Sequence, residues 1–279
     1  MFYEDLKEYV RSTSEEFDLV AKVTQHPERP RPIRSIDQIY MLIGSQLNQA
    51  KLISDYLRGR SVAFLGDGDC MSLVLGILAK EGKGIINPPS YMVVLDFDER
   101  ILNFITKTSR YFGFHELIEV HRYNVRDPIP ENLIEQSDLF YTNPPFGSKN
   151  EGKSGIIFLA RCMELCKQIG SWGITLLPFH HHESWSRTAM LNIQDFLVRY
   201  GYVVSEMLRG MHSYHLDDNP RLLSGTLVLD RIKYVEPPYR GKVIPYNELK
   251  SFYGSAQKNF PDYINKQGKF IYSNGHNVL

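Results

Sequence analysis

The sequence predicts an α/β protein: a mostly parallel sheet covered by helices on both faces, with an antiparallel hairpin at one edge. Two observations carry this. Between residue 61 and about residue 200, short continuously apolar runs alternate with segments of helical periodicity. That is the pattern of strands buried on both faces. Then two apolar runs, Tyr202 to Met207 and Leu223 to Ile232, follow each other with no clear helix between them, which calls for an antiparallel return.

Seven strands are expected. Ser61 to Leu65 is the first, and Met71 to Lys80 is the helix after it. Tyr91 to Leu95 is the second, with a helix from Glu99 to Phe112. Leu117 to Arg122 and Asp138 to Thr142 are the third and fourth. Ser154 is a good N-cap for a helix ending near Gly170. Trp172 to Leu177 is the fifth strand, and its helix runs to about Tyr200. Upstream, residues 1–60 read as a polar helical segment broken by Pro27, Pro30 and Pro32, with a helix from Ile36 to Leu57 leading into the core. The expected organisation is a helical segment over 1–60, a catalytic domain over 61–235 and a partly structured extension over 236–279.

Bulk properties exclude several classes. A chain of 279 residues with 43% hydrophobic and 23% charged residues supports a full globular core. Zero formal net charge argues against a diffuse attraction to nucleic acid and leaves room for a local basic groove. Cys70, Cys162 and Cys166 form an odd, sparse set that reads as reduced thiols, and the expected location is the cytoplasm. No run approaches the ~18 apolar residues of a membrane helix, so no membrane association is expected.

The chemistry gathers at the strand ends, where open α/β sheets bind ligands. The first strand runs into Gly66-Asp67-Gly68-Asp69, whose glycines allow a tight turn and close backbone approach. The second ends in Asp96, followed by Phe97. A carboxylate there can accept from both hydroxyls of a ribose. The third leads to Asn124, whose amide can pair with an adenine edge. The fourth ends in Asn143-Pro144-Pro145-Phe146. Two prolines fix two φ angles, remove two N–H donors and keep Asn143 out of the helical region. The corner therefore offers carbonyl oxygens, a side-chain amide and an aromatic face, which together can grip an amino group.

In this order the four strand ends resemble the class I S-adenosylmethionine-dependent methyltransferases. The resemblance implies a Rossmann-like class I methyltransferase fold with a seven-stranded sheet. It also implies that Gly66, Asp67 and Gly68 hold the methionine part of S-adenosylmethionine, that Asp96 holds its ribose, and that Asn143 to Phe146 hold the target nitrogen. Cys70 stands where that family often has a third glycine. A narrower likeness covers roughly residues 46–235. Gly66 to Asp69, Leu95 to Arg100 and Arg126 to Pro130 look like the catalytic domain of the branched-chain polyamine synthases. Those enzymes share the fold and transfer an aminopropyl group from decarboxylated S-adenosylmethionine. Here Gly68 stands where that family tends to carry an aspartate, and Asn143-Pro144-Pro145-Phe146 replaces its Asp-Pro-Pro-Glu corner. A polycation wants carboxylates; a neutral amide beside a ring suits a flat amino group. Residues 143–150 look instead like RNA adenine-N6 methyltransferases of the ribosomal type.

The leading expectation is therefore methyl transfer from S-adenosylmethionine to an exocyclic amino or amide nitrogen, adenine N6 of RNA or DNA first. The alternative is aminopropyl transfer to a polyamine, and a third reading is a non-catalytic binding partner with the same fold. Nucleic acid and small amines or polyamines are thus the candidate partners. Three loop residues are expected to line the substrate side: Lys149, His180 and Tyr214. Gly147 to Ser154 matches the P-loop pattern, but four residues, two of them prolines, separate its first glycine from the strand. It reads better as a basic lid. His180 to His182, with His212, His215 and Asp217, lack the dispersed spacing of a metal site, so no metal is expected.

Overall fold

The computed structural model describes residues 14–179, 183–216, 222–253 and 259–272. Helix α1 (Ser14–Thr24) and α2 (Ile43–Leu57) precede strand β1 (Ser61–Leu65). The alternation then runs α3 (Met71–Glu81), β2 (Tyr91–Asp96), α4 (Glu99–Tyr111), β3 (Ile118–Arg122) and β4 (Leu139–Thr142). It continues with α5 (Lys153–Leu165), β5 (Trp172–Pro178), α6 (Ser184–Arg199), β6 (Tyr202–Ser213) and β7 (Leu223–Arg231). A small ribbon, β8 (Tyr263–Ile264) with β9 (Phe270–Ile271), closes the described chain.

The seven-stranded sheet has the order β3-β2-β1-β4-β5-β7-β6. Strands β1 to β5 pair in parallel, and β7 is antiparallel to both β5 and β6. The predicted antiparallel pair is present, and β7 threads between β5 and the edge strand β6. The strand order reverses between β1 and β4. The crevice at their carboxyl ends is where this topology opens a ligand site.

Apolar side chains fill both faces of the sheet. Phe64, Tyr141, Ile174 and Leu176 join the core beneath α1 to α4. Ala63, Leu65, Phe140 and Leu177 join the core shared by α5, α6 and the segment after the sheet. That segment is docked, not trailing: Ile244, Leu249, Phe252, Tyr253, Phe260 and Ile264 are all buried. Arg161 on α5 anchors it. Its guanidinium, fully buried with Glu164, donates to Glu164 Oε1 (2.7 Å) and to the carbonyls of Val125, Arg126, Tyr239 and Lys242.

Several local expectations are corrected. Helix α2 starts at Ile43, because Met41 forms a bridge with Tyr214 and Leu42 N–H bonds Ser213 O. Helix α5 is capped by Gly152 in the left-handed region, not by Ser154, and ends at Leu165, well short of Gly170. Ser154 Oγ instead donates to Phe252 O (2.7 Å). Strand β6 extends to Ser213 through two register shifts, so Gly210 to Ser213 are strand, where the sequence suggests a loop.

Candidate active site

A cavity of about 350 Å³ opens at the carboxyl ends of β1, β2 and β4. Its floor is the β1 turn. Gly66 has φ +71°, and a Cβ there would lie 2.9 Å from the Phe158 ring, so only glycine gives this turn without strain. Gly68 and Asp69 also line the cavity.

Asp67 does not. Its carboxylate points under α3, accepting from Met71 N–H (2.7 Å), Ser72 N–H (3.2 Å) and Ser72 Oγ–H (2.5 Å). It seals the N-terminal donors of that helix, and burial pushes its pKa up to about 7. The expected ligand contact from Asp67 is thus replaced by a capping role, which Cys70 in the left-handed conformation helps to shape.

Asp96 stands on the cavity wall at the end of β2. Each oxygen holds one backbone donor: Oδ2 takes Asp67 N–H (2.9 Å) and Oδ1 takes Asp98 N–H (2.8 Å). Lone pairs remain on both, since a carboxylate accepts at about four sites. Burial, reinforced by the Asp98 charge, pushes Asp96 up to about 7. Phe97 is on the wall beside it. Asn124 also reaches the wall, but its Nδ2 donates to Pro261 O (2.9 Å) and Asp262 O (2.6 Å). Its amide hydrogens hold the chain's own C-terminal segment, so the expected pairing with an adenine edge is not open to them.

The Asn-Pro-Pro-Phe corner forms the opposite wall. Asn143 Nδ2 donates to Asp69 Oδ2 (2.7 Å), while Asp69 Oδ1 accepts from Met41 N–H (2.7 Å). The amide is held by its nitrogen, and among the described residues no hydrogen bond to its Oδ1 occurs. Phe146 meets Tyr214 edge to face, centroids 6.4 Å apart at 80°. Tyr214 is buried and fixed from behind. Its hydroxyl lies 2.6 Å from Ser224 Oγ, which lies 3.0 Å from His212 Nδ1, and His212 Nε2 lies 2.9 Å from Gln49 Oε1. Burial lowers His212 to about 3, so it is a neutral strut between two polar side chains.

Residues missed by sequence reading complete the enclosure. Asp37, Gln38 and Tyr40, from the proline-broken connector, form one side, and Tyr253 another. Asp37 is left-handed (φ 57°), and burial raises it to about 6 against the opposing pull of Arg34. Their signal in sequence is faint, since no periodicity marks a connector as a wall. Asp69 was visible beside Gly68 and is the more telling omission.

Lys149 is exposed on the turn after Gly147 and is not on the wall. The P-loop pattern fails geometrically: the N–H groups of Asn150 and Gly152 both turn inward to Gly147 O, and Lys153 faces Glu248 (3.6 Å). His180 to His182 and Asp217 lie outside the described residues. Among the described residues no cluster of metal-ligating side chains occurs, and no helix is long and apolar enough to cross a membrane.

Comparison with known proteins converges on one family. The profile of the branched-chain polyamine synthase A C-terminal domain matches residues 15–260. An N(4)-bis(aminopropyl)spermidine synthase of Thermus thermophilus is 30% identical over 190 residues, covering 67% of this chain and 50% of its own length. The chain spans about half the length of the curated relatives it matches. Among solved structures, the branched-chain polyamine synthase of Thermus thermophilus in complex with N4-aminopropylspermidine and 5'-methylthioadenosine superposes with a TM-score of 0.70 at 21% identity, covering 95% of this chain and 72% of that one. A SAM-dependent O-methyltransferase of Thermotoga maritima reaches 0.50 at 10% identity, covering 78% and 72%. These likenesses establish the class I methyltransferase fold expected from the strand ends.

Proposed function

This chain belongs to the family of the branched-chain polyamine synthase A C-terminal domain, and on that premise we infer that it transfers an aminopropyl group from decarboxylated S-adenosylmethionine to an amine nitrogen. The alternative expectation thereby displaces methyl transfer as the leading one. A relative named N(4)-bis(aminopropyl)spermidine synthase supports the reading.

The observation that carries the reading is the charge of the cavity. Asp37, Asp69 and Asp96 face one cation, Arg34, among the described wall residues. The other natural seat for an anion, the N-terminus of α3, is occupied by Asp67. An S-adenosylmethionine carboxylate would lie among acids. The terminal ammonium of an aminopropyl arm suits Asp69, whose pKa burial raises and which gains from a cation beside it.

Chemically, the acceptor nitrogen's lone pair forms a bond to the propyl carbon attached to sulfur. The carbon–sulfur bond breaks with its electron pair going to sulfur, the thioether product leaves, and the nitrogen sheds a proton to solvent. Asn143 Oδ1 and the Pro144 carbonyl orient the nitrogen for in-line attack. Asp96 accepts from the ribose hydroxyls, and Gly66 and Gly68 let the backbone approach the sulfur side.

One observation favours methyl transfer as a second reading. The acceptor wall of Asn143, Phe146 and Tyr214 is neutral and aromatic, which suits a planar amino group. Calorimetric titration with the two donors separates the readings. The decarboxylated form is expected to bind at least about tenfold tighter, the worth of roughly one charge interaction. A preference for S-adenosylmethionine would return methyl transfer to the lead.

Donor binding is also expected to depend on pH. Asp96 and Asp37 hold protons below about 7 and about 6 respectively, and each gains acceptor capacity on ionising. The sign is therefore positive: affinity for 5'-methylthioadenosine rises about tenfold between pH 5.5 and 8. Titrations across that range check it, and an affinity that falls with pH would remove the two carboxylates from the ribose site.

A further inference from the structure

Behind the Asn-Pro-Pro-Phe corner runs a chain of polar side chains that the transfer step leaves unused. Gln49 on α2, His212 on β6, Ser224 and Thr226 on β7, and Tyr214 are all buried. Thr226 Oγ1–H donates to Gln49 Oε1 (2.7 Å), and His212 Nε2 lies 2.9 Å from the same oxygen. His212 Nδ1 lies 3.0 Å from Ser224 Oγ, which lies 2.6 Å from the Tyr214 hydroxyl. Such a chain has a polarity, since a group that gives its one hydrogen in one direction must accept from the other.

The polarity follows from the Gln49 end. Gln49 Oε1 is a carbonyl oxygen and can only accept, so His212 Nε2 carries the ring hydrogen. Burial keeps the ring neutral, so Nδ1 holds a bare lone pair. Ser224 Oγ–H donates to that lone pair, and its hydrogen is then committed. The Tyr214 O–H must therefore donate to Ser224 Oγ. What Tyr214 keeps is an oxygen that accepts and no hydrogen to give. The Asn143 end agrees. Asn143 Nδ2 gives one hydrogen to Asp69 Oδ2 (2.7 Å) and has a second. The Asn143 side chain also reaches the Tyr214 hydroxyl: burial raises that hydroxyl, the Asp69 charge adds to it, and hydrogen bonding with Ser224 and Asn143 opposes it. An oxygen whose own hydrogen is turned away can receive the second amide N–H.

We propose that His212 is a positioning residue for group transfer: through Ser224 it fixes the direction of the Tyr214 O–H, so that the tyrosine oxygen and Asp69 together hold the Asn143 amide by its nitrogen. The proposal rests on the aminopropyl reading for the step it serves. To that reading it adds a residue that is not on the cavity wall and acts only through its neighbours.

The first test reads the ring tautomer. Two-bond proton–nitrogen correlation spectra of the histidine-labelled protein are expected to show His212 in the Nε2–H form. That form should persist from about pH 5.5 to 8, because burial holds the pKa to about 3. Loss of the signal in His212→Asn assigns it. An Nδ1–H form, or a protonated ring in that range, overturns the proposal. The second test is steady-state kinetics with spermidine and the decarboxylated donor. His212→Leu is expected to lower kcat about tenfold, the worth of one hydrogen bond lost from the chain. Its affinity for 5'-methylthioadenosine should stay within about twofold of the parent's. His212→Asn puts an amide oxygen near the place of Nδ1 and is expected to recover most of kcat, a rescue that packing alone would not give. A folded His212→Leu with kcat within about twofold of the parent's, or an asparagine variant no better than the leucine one, overturns the proposal and leaves the aminopropyl reading standing. Should His212→Leu fail to fold, the tautomer in the parent decides alone. A parent that transfers no aminopropyl group to spermidine overturns both.

Discussion

Replacing Asn143 with alanine is expected to lower turnover about 10²–10³-fold, the usual loss when one preorganised polar contact to the reacting group is removed. Steady-state kinetics with spermidine and the decarboxylated donor would measure it, with donor affinity followed separately by calorimetry. The argument is geometric. Asp69 pins the amide nitrogen at 2.7 Å, so the orientation of the amide, oxygen included, is fixed before any acceptor arrives. Pro144 and Pro145 lack N–H groups and cannot compete for it. Because the contact serves orientation during transfer, the loss should fall on turnover more than on donor binding. A decrease smaller than about tenfold would take Asn143 out of the transfer step. The contact partner matters as well: truncation frees one oxygen of Asp69, which keeps only its bond to Met41 N–H.

Arg161→Met is expected to destabilise the protein by about 3–5 kcal/mol, the cost of stranding one half of a buried ion pair. The guanidinium meets Glu164 and four backbone carbonyls, and both charged side chains are fully buried. Removing it leaves a carboxylate and four acceptors without their donor. Urea unfolding read by circular dichroism measures the loss. The double variant Arg161→Met with Glu164→Leu should regain much of it, since no charge is then stranded. A single variant within about 1 kcal/mol of the parent would show that the pair is not what holds the segment after the sheet. Two of the four carbonyls, Tyr239 and Lys242, belong to that segment, so loosening it should also weaken the Tyr253 wall.

The sheet was legible because its strands are continuous apolar runs with ligand-type residues directly at their ends. Leu139 to Thr142, buried throughout and followed at once by Asn-Pro-Pro-Phe, is the clearest instance. The antiparallel pair was legible for the complementary reason that no helical pattern separates β6 from β7. What failed were positions set by long-range partners. Ser154 has the chemistry of a cap, yet its hydroxyl goes to Phe252, 98 residues away in sequence. His212 looked like part of a histidine-rich loop. It is a buried strut because β6 runs on through two register shifts and turns it inward towards Gln49. Asp37 and Tyr253 carry only a faint local signal. Each reaches the cavity only because its segment is tied down elsewhere: Gln38 Nε2 holds Asp98 on one side, and Asn124 holds Pro261 on the other. Asp67 misled in the opposite sense, since an acid in a glycine turn serves a ligand or a helix equally well on paper.

That capping acid has a consequence for how such a cavity chooses between two nearly identical donors. The two sulfonium compounds differ by one carboxyl group. A site that recognised the smaller one by attraction alone would admit the larger as well, because the larger contains every group the smaller has. Asp67 occupies the helix donors that would welcome the extra carboxyl, and Asp69 stands nearby with no spare proton donor to offer it. On the aminopropyl reading, selection would work by refusal: the bulkier compound would bring its carboxyl into a pocket that offers it acids and no free helix donors. The same refusal gives a route to reversing the choice, because freeing the helix donors and neutralising one acid would convert the barrier into a seat.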